Sequence, residues 1–240
     1  MSNWLERTEL LIGENALNTL QNAHILVVGL GGVGSYAAET MVRSGIGHIS
    51  IVDGDDVDPT NKNRQLQALD STVGLQKALV LKERFLDINP NLKVTVYDQF
   101  MTPDAMYDLL KNTKFDFVFD CIDSIQPKVS LMLTLRRMGC PFISSMGAGG
   151  KLDPTKIHIK DIRKAKNCKF AKIVKQHLKS RGVRDGILTV YSDEIQIKEA
   201  LQLTDGTNFK KSFYGTIAYM PAMFGMTMAY EVIRRLIKSS

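Results

Sequence analysis

The sequence predicts an α/β fold with a doubly wound, mostly parallel sheet, and three observations carry that prediction. Short apolar, β-branched runs alternate with amphipathic stretches of helical spacing from residue 23 to residue 145, a rhythm that lays parallel strands side by side with helices on both faces. A glycine-rich turn, Gly29 to Gly34, joins the first run to the helical stretch behind it. Acidic residues close two later runs, at Asp53 and Asp120, at the strand ends where such sheets collect ligands.

Taken in order, residues 5 to 21 place Leu5, Leu10, Leu11, Leu17 and Leu20 at mostly helical spacing and predict one helix. Residues 23–28 predict a strand, 33–44 a helix closed by Gly45, 48–53 a second strand, and 75–88 a helix stopped by Asn89 and Pro90. A strand follows at 93–97, then a helix with Thr102 as N-cap and Pro103 at its first position. Residues 115–120 predict a strand, 126–138 a helix and 141–145 a strand. Beyond Gly147, Gly149 and Gly150 the texture changes to a strand at 156–159 and a helix at 168–179, with turns at 182–186 and 204–206. The apolar stretch 217–237 is interrupted by Pro221, Glu231, Arg234 and Arg235, which favours a buried C-terminal helix over a membrane span. The expected organisation is one domain over 1–240, with a nucleotide-binding core at 1–150 and a basic, substrate-facing part plus C-terminal helix at 151–240.

Thirty-one Lys and Arg against 25 Asp and Glu give a formal charge of +6, a mild bias toward a polyanionic partner. The excess is concentrated: residues 151–184 hold twelve Lys and Arg against Asp153 and Asp161. Cys121, Cys140 and Cys168 form no CxxC pair, which argues against a disulfide framework or a zinc site. The N-terminus lacks the basic and apolar regions of a signal peptide, so the expected setting is cytoplasmic.

Three constellations carry chemistry. In Gly29-Leu30-Gly31-Gly32-Val33-Gly34 the glycines permit a tight turn and close backbone approach, the following helix turns its positive end to a phosphate, and Asp53 can accept from a ribose hydroxyl. That context marks a nucleotide site without choosing the nucleotide. The second constellation runs from Asp53 and Asp55 through Asn61, Arg64 and Gln65 to Lys77. Fixed cations beside the turn suit an enzyme that cleaves ATP between the α-phosphate and pyrophosphate; the plainer alternative is a solvated helix start and a surface lysine. The third is Asp120-Cys121-Ile122-Asp123-Ser124. Two carboxylates there could hold magnesium, and Asp123 alone would suffice to bridge a metal and ATP; its plainer role is a helix N-cap.

These pieces, in this order, resemble the ubiquitin-activating-like adenylating family of ThiF, MoeB and HesA proteins, closely over residues 5 to about 150. The resemblance implies a Rossmann-like fold with a basic insertion, binding ATP and Mg2+. Gly29, Gly31, Gly32, Gly34, Asp53, Asp55, Asn61, Arg64, Gln65, Lys77, Asp123 and Ser124 would hold the nucleotide. Arg7, Arg64, Lys77 and Asp123 would be catalytic, with Asp123 on the metal. Arg7 looks like the family's N-terminal arginine that reaches into the partner subunit's site, which implies a homodimer.

Within the family, residues 6–13, 61–65, 120–124 and 146–154 look most like the tRNA threonylcarbamoyladenosine dehydratases of the TcdA/CsdL type. These resemble the chain in lacking the two CxxC pairs that carrier-protein activators usually carry. The implied reaction is ATP-driven cyclisation of the threonylcarbamoyl group on the adenosine next to the anticodon of tRNA, through an acyl-adenylate, releasing pyrophosphate and AMP. A monovalent cation and a sulfur-relay protein are further expectations; Lys210 and Lys211 stand about where relatives often carry a cysteine, which counts against the sulfur role. The competing readings are an adenylating activator of a ubiquitin-like sulfur-carrier protein and an NAD-binding oxidoreductase.

For RNA contacts, residues 151–184 with Arg234, Arg235 and Lys238 offer phosphate partners. The competing reading of 168–179 is an ordinary surface helix burying Phe170, Ile173, Val174 and Leu178. Tyr191, Phe209, Phe213 and Tyr214 are the aromatic candidates for stacking a base.

Overall fold

The computed structural model describes residues 4–203 and 212–238. In chain order these form α1 (Glu6–Ile12), α2 (Glu14–Asn22), β1 (His24–Val28), α3 (Gly34–Arg43), β2 (His48–Val52), α4 (Lys77–Ile88), β3 (Lys93–Tyr97) and α5 (Pro103–Asn112). Then come β4 (Phe117–Asp120), α6 (Ile125–Met138), β5 (Phe142–Ser145), β6 (Ile157–Asp161), α7 (Lys169–Lys179), β7 (Leu188–Ser192), β8 (Leu201–Leu203), β9 (Ser212–Tyr214) and α8 (Tyr219–Leu236).

Seven strands make one sheet in the order β3-β2-β1-β4-β5-β7-β6. All neighbours are parallel except β6 and β7. The fold is therefore the Rossmann-like, mostly parallel α/β sheet expected. Strand order reverses between β1 and β4, and a crevice opens outside their C-terminal ends at such a switch point. The glycine turn leaves β1 and the Asp120–Ser124 segment leaves β4, so the topology brings both to that crevice.

The central strands read as continuous apolar runs because both sheet faces are covered. One layer buries Ile25, Val27, Ile49, Ile51, Phe117 and Phe119 under α3, α4 and α8; the other sets Leu26, Val28 and Val118 against Met106, Leu110, Leu131 and Leu135. Helix α8 lies so close along α3 that a Cβ on Gly225 would stand 2.4 Å from the Val33 carbonyl oxygen. Phe224 and Met228 are fully buried there, each side chain contributing about 1.5–3 kcal/mol by leaving water. That packing fixes the backbone directly behind the glycine turn. The C-terminal apolar stretch is thus a core helix, and among the described residues no helix is long and apolar enough to cross a membrane.

Some expectations change. Residues 5 to 21 form two helices, because Gly13 takes φ +85 and turns the chain. Leu10 and Leu11 consequently lie exposed on α1, while Leu5, Leu17 and Leu20 remain buried. Thr102 does cap α5, its Oγ1 accepting from the Ala105 amide, with Pro103 at the first turn. The strand expected at 156–159 exists as β6, but as the antiparallel edge partner of β7, a strand the sequence reading missed. The short antiparallel pair β8 and β9 was missed as well. In α7 the buried face is Ala171, Val174 and Leu178, whereas Ile173 points to solvent. The turn expected at 204–206, together with Phe209, Lys210 and Lys211, lies outside the described residues.

Candidate active site

The glycine turn is shaped by backbone that approaches too closely for any side chain. Gly29 has φ +88, and a Cβ there would stand 2.9 Å from the Cys121 carbonyl oxygen. A Cβ on Gly34 would overlap the Gly29 carbonyl oxygen at 1.8 Å, so any larger residue at that position must unmake the turn. Gly32 is hemmed in by the Arg64 carbonyl and Pro221, whereas Gly31 would meet only Gln65 Nε2, at 3.8 Å. The turn is therefore open on the Gly31 side, and among the described residues no protein acceptor takes the amides of Gly31 and Gly32. Open amides at the N-terminus of α3 form an anion cradle.

Asp53 follows β2 and ties the cradle to its neighbour. Its Oδ2 accepts from the Leu30 amide at 2.6 Å and its Oδ1 from the Asp55 amide at 2.9 Å. Each oxygen keeps a second lone pair for a hydroxyl donor. Burial pushes the Asp53 pKa up, against those two amides and nearby Lys77.

Lys77 is buried, not the surface lysine of the plainer reading, and it is the first residue of α4. Its Nζ bonds Asp55 Oδ2 at 2.9 Å, while its amide donates to the Asp55 carbonyl. Arg64 is half-buried, with Nη1 donating to the Thr60 carbonyl and to Asn63 Oδ1. Burial lowers its pKa, and the nearby Asp123 carboxylate opposes that shift. Asn61 closes a capping box with Asp58 in the short helical turn Pro59–Asn61, so its role there is to shape the segment carrying Arg64.

A residue absent from the sequence reading orders this corner. Gln67 is buried and its Nε2 donates to the Leu30 carbonyl at 2.7 Å and to Gln65 Oε1 at 3.3 Å. Because a carbonyl only accepts, the Gln67 amide has one orientation, and Gln65 must accept with its oxygen and turn its NH2 toward Gly31. Gln67 Oε1 is left buried without a partner. Its only sequence signal was a polar residue two positions after Gln65.

At β4 the two aspartates part. Asp120 is fully buried: its Oδ2 meets Lys128 Nζ at 2.9 Å and Ser144 Oγ at 2.6 Å, and its Oδ1 accepts from the Ile122 amide. It is therefore no metal ligand, which corrects the paired-carboxylate reading. Asp123 is exposed at the crevice beside Arg64. The N-cap position of α6 falls to Ser124, which makes no side-chain cap bond, so Asp123 is not the cap. Among the described residues no group of three or more His, Cys, Asp or Glu could cage a metal. A magnesium ion here would rest on Asp123 with phosphate oxygens and water, the arrangement that ion favours.

Arg7 stands apart. It lines a hollow with Thr8, Leu11, Ile12, Leu20, Ser44 and Ile233, at the C-terminal end of α3. The glycine turn lies at the other end of that ten-residue helix, roughly 15 Å away. Contacts thus connect the glycine turn Gly29–Gly34 with Asp53, Asp55, Arg64, Gln65, Lys77 and Asp123, with Asn61 in the turn that carries Arg64 and Ser124 following Asp123, and leave Arg7 apart from them.

A family model described as the ThiF family matches residues 5–240. The chain belongs to the ThiF family. Among relatives, a tRNA threonylcarbamoyladenosine dehydratase of Bacillus subtilis (strain 168) is 40% identical over 245 residues, 99% of this chain and 96% of that protein. Among solved structures, the Escherichia coli tRNA N6-threonylcarbamoyladenosine dehydratase TcdA in complex with ATP superposes with a TM-score of 0.88 at 37% identity, covering 100% of this chain and 97% of that one. The same protein in complex with AMP superposes equally well. A sulfur carrier protein ThiS adenylyltransferase of E. coli (strain K12) is more distant, 29% identical over 60% of this ThiF-family chain and 59% of that protein.

Proposed function

We propose that this chain uses ATP to dehydrate threonylcarbamoyladenosine beside the anticodon of tRNA, closing the modified side chain into a ring. The observation that carries this reading is the end-to-end likeness to a dehydratase solved with ATP, 37% identical with 100% and 97% of the two chains covered. The crevice supports it: open amides, a ribose-facing carboxylate and two cations surround a space fit for a nucleotide.

The threonyl carboxylate attacks the α-phosphorus of ATP, and the bond from that phosphorus to the bridging oxygen of pyrophosphate breaks. The product is an acyl-adenylate. An internal nitrogen or oxygen of the substrate then attacks the acyl carbon, a proton is lost, the acyl–oxygen bond breaks and AMP leaves. Water is removed overall, and no enzyme nucleophile takes part. Cys121, half-buried behind the glycine turn with its pKa raised by burial, is unsuited to that part in any case.

The amides of Gly31 and Gly32 and the amino group of Gln65 hold phosphate oxygens, while Asp53 orients the ribose. Lys77 and Arg64 stabilise charge developing on the phosphates, held in place by Asp55, Thr60 and Asn63. Magnesium on Asp123 would supply further neutralisation. Arg7 acts from a second copy of the chain in a homodimer with shared sites, consistent with its distance from its own crevice.

The test is to incubate the protein with ATP, magnesium and tRNA bearing threonylcarbamoyladenosine, then weigh the nucleoside by mass spectrometry. Loss of one water with AMP formation is the expected result. An unchanged nucleoside, with pyrophosphate exchange elicited by a ubiquitin-like carrier instead, would replace this reading by the carrier-activating one.

A further inference from the structure

Helix α7 carries four lysines and no acidic residue. Like charges three and four residues apart repel one another along a helix, and a surface helix kept only for solubility gains more from mixed signs. Lys175 is turned inward, its Nζ donating to the Ala165 carbonyl at 2.7 Å. Lys169, Lys172 and Lys179 are exposed and share one face with Gln176, opposite the buried Ala171, Val174 and Leu178.

Among the described residues none of these three lysines has an acidic partner. The nearby acids are engaged elsewhere: Asp193 with His158 and Lys166, Glu194 with the amides of Leu152 and Asp153, Asp161 with the amides of Arg163, Gly186 and Ile187. Lys169 Nζ instead sits 5.8 Å from the centroid of the Tyr214 ring.

The row of lysines begins beside the loop that follows β5. The Lys169 amide donates to Gln196 Oε1 at 3.3 Å, and Gln196 Nε2 donates to the Gly149 carbonyl at 3.0 Å. A Cβ on Gly147 would stand 3.3 Å from Phe170 Cβ, so that glycine admits the helix start against the loop. The loop leaves β5, which pairs with β4 at Asp120 and Ser144, three residues before Asp123. From there the lysines extend along ten helical rises, roughly 15 Å.

We propose that Lys169, Lys172 and Lys179 form a phosphate track that carries the anticodon-loop strand of the substrate RNA outward from the adenylation site along α7. This rests on the reading of the substrate as tRNA and adds which surface holds it. Of the candidate stacking aromatics, Tyr191 is buried with its hydroxyl bonded to the Lys164 carbonyl, and so cannot serve. The contacts made by the three lysines themselves are to backbone charge and independent of base sequence.

The test compares Lys169→Gln/Lys172→Gln/Lys179→Gln with a control, Lys93→Gln/Lys111→Gln/Lys114→Gln, whose lysines lie at the start of β3, in the last turn of α5 and just before β4, away from α7. Equilibrium binding of tRNA is measured against salt by fluorescence anisotropy, and ATP binding by calorimetry. The track variant should bind tRNA about tenfold or more weakly, with the slope of log K against log salt reduced by about 2, since each single-strand phosphate contact contributes about 0.7. The control should keep the wild-type slope, and all three proteins should bind ATP alike.

Equal weakening in track variant and control, or an unchanged slope in the track variant, overturns the proposal. So does loss of binding to an acidic ubiquitin-like carrier with tRNA binding intact. Failure of the wild-type protein to dehydrate the nucleoside would instead strike the proposed function, and the binding comparison would still decide the track.

Discussion

Around the end of β4 charge is sealed in pairs, whereas along α7 it stands exposed and unmatched. Asp120 and Lys128 are both fully buried, and Ser144 Oγ donates to Asp120 as well; Lys77 is also buried, although its partner Asp55 keeps a half-exposed carboxylate. Lys169, Lys172 and Lys179 face solvent with no acid between them. Sealed pairs cost desolvation and return geometry: Asp120 fixes the Ile122 amide and thereby the turn that presents Asp123. Exposed cations cost little and return reversible attraction that salt can screen. One region is arranged for chemistry at fixed distances, the other for capturing and releasing a polyanion.

The largest expected effect tests whether the β4 pair is indeed sealed. Lys128→Met should lower unfolding stability by about 3–5 kcal/mol, because it strands a buried carboxylate, and urea titration measures it. Asp120→Asn/Lys128→Met, which removes both charges, should lose clearly less. Equal losses would mean that packing rather than an uncompensated charge sets the cost.

Next, Lys77→Met keeps the buried volume but removes the cation and should lower kcat about 10²–10³-fold while ATP-free thermal stability stays close to wild type. Asp123→Ala should be similarly inactive. Wild-type turnover in either variant would refute its assignment to the site.

Arg7→Ala should also be inactive, yet mixing it with Lys77→Met should restore roughly a quarter of wild-type activity, since half the random dimers are mixed and each has one intact site. No complementation would remove Arg7 from the shared-site scheme.

The smallest effect concerns the N-terminal ends of β1 and β2, at the far end of the strands from the crevice. His24 stacks on His48 with ring centroids 3.4 Å apart. Burial first, then His48, pulls the His24 pKa down from 6.5 to about 4, with Asp116 opposing. The unfolded chain therefore binds a proton that the folded chain refuses, and stability should fall as pH drops from about 6.5 toward about 4. His24→Asn should flatten that slope in pH-dependent thermal melts without changing turnover at neutral pH.

Much of the nucleotide crevice was legible because its signals are local. Gly29 to Gly34 must be glycine-rich wherever a strand turns this tightly into a helix, and Asp53 ends the next strand at a readable spacing. What the sequence hid was partnership across the sheet. Asp120 and Asp123 look equivalent three residues apart, yet one faces Lys128 and Ser144 in the core and the other faces the crevice. Gln67 gains its meaning only from the Leu30 carbonyl, 37 positions earlier. Strands β7, β8 and β9 escaped because they lie beyond the point where the alternation of strand and helix stops, and β8 and β9 are only three residues long.

By itself, then, the sequence determined the alternation of strands and helices, the glycine turn and the concentration of positive charge between residues 151 and 184, since periodicity, backbone freedom and net charge are properties of neighbouring residues. Only the tertiary structure decided which charges are neutralised and which remain free, that Lys77 is buried, that Arg7 lies a helix length from its own crevice, and that the lysine row of α7 starts against the loop that follows β5. Those are facts of distance between segments remote in the chain, and distance decides what a charge does.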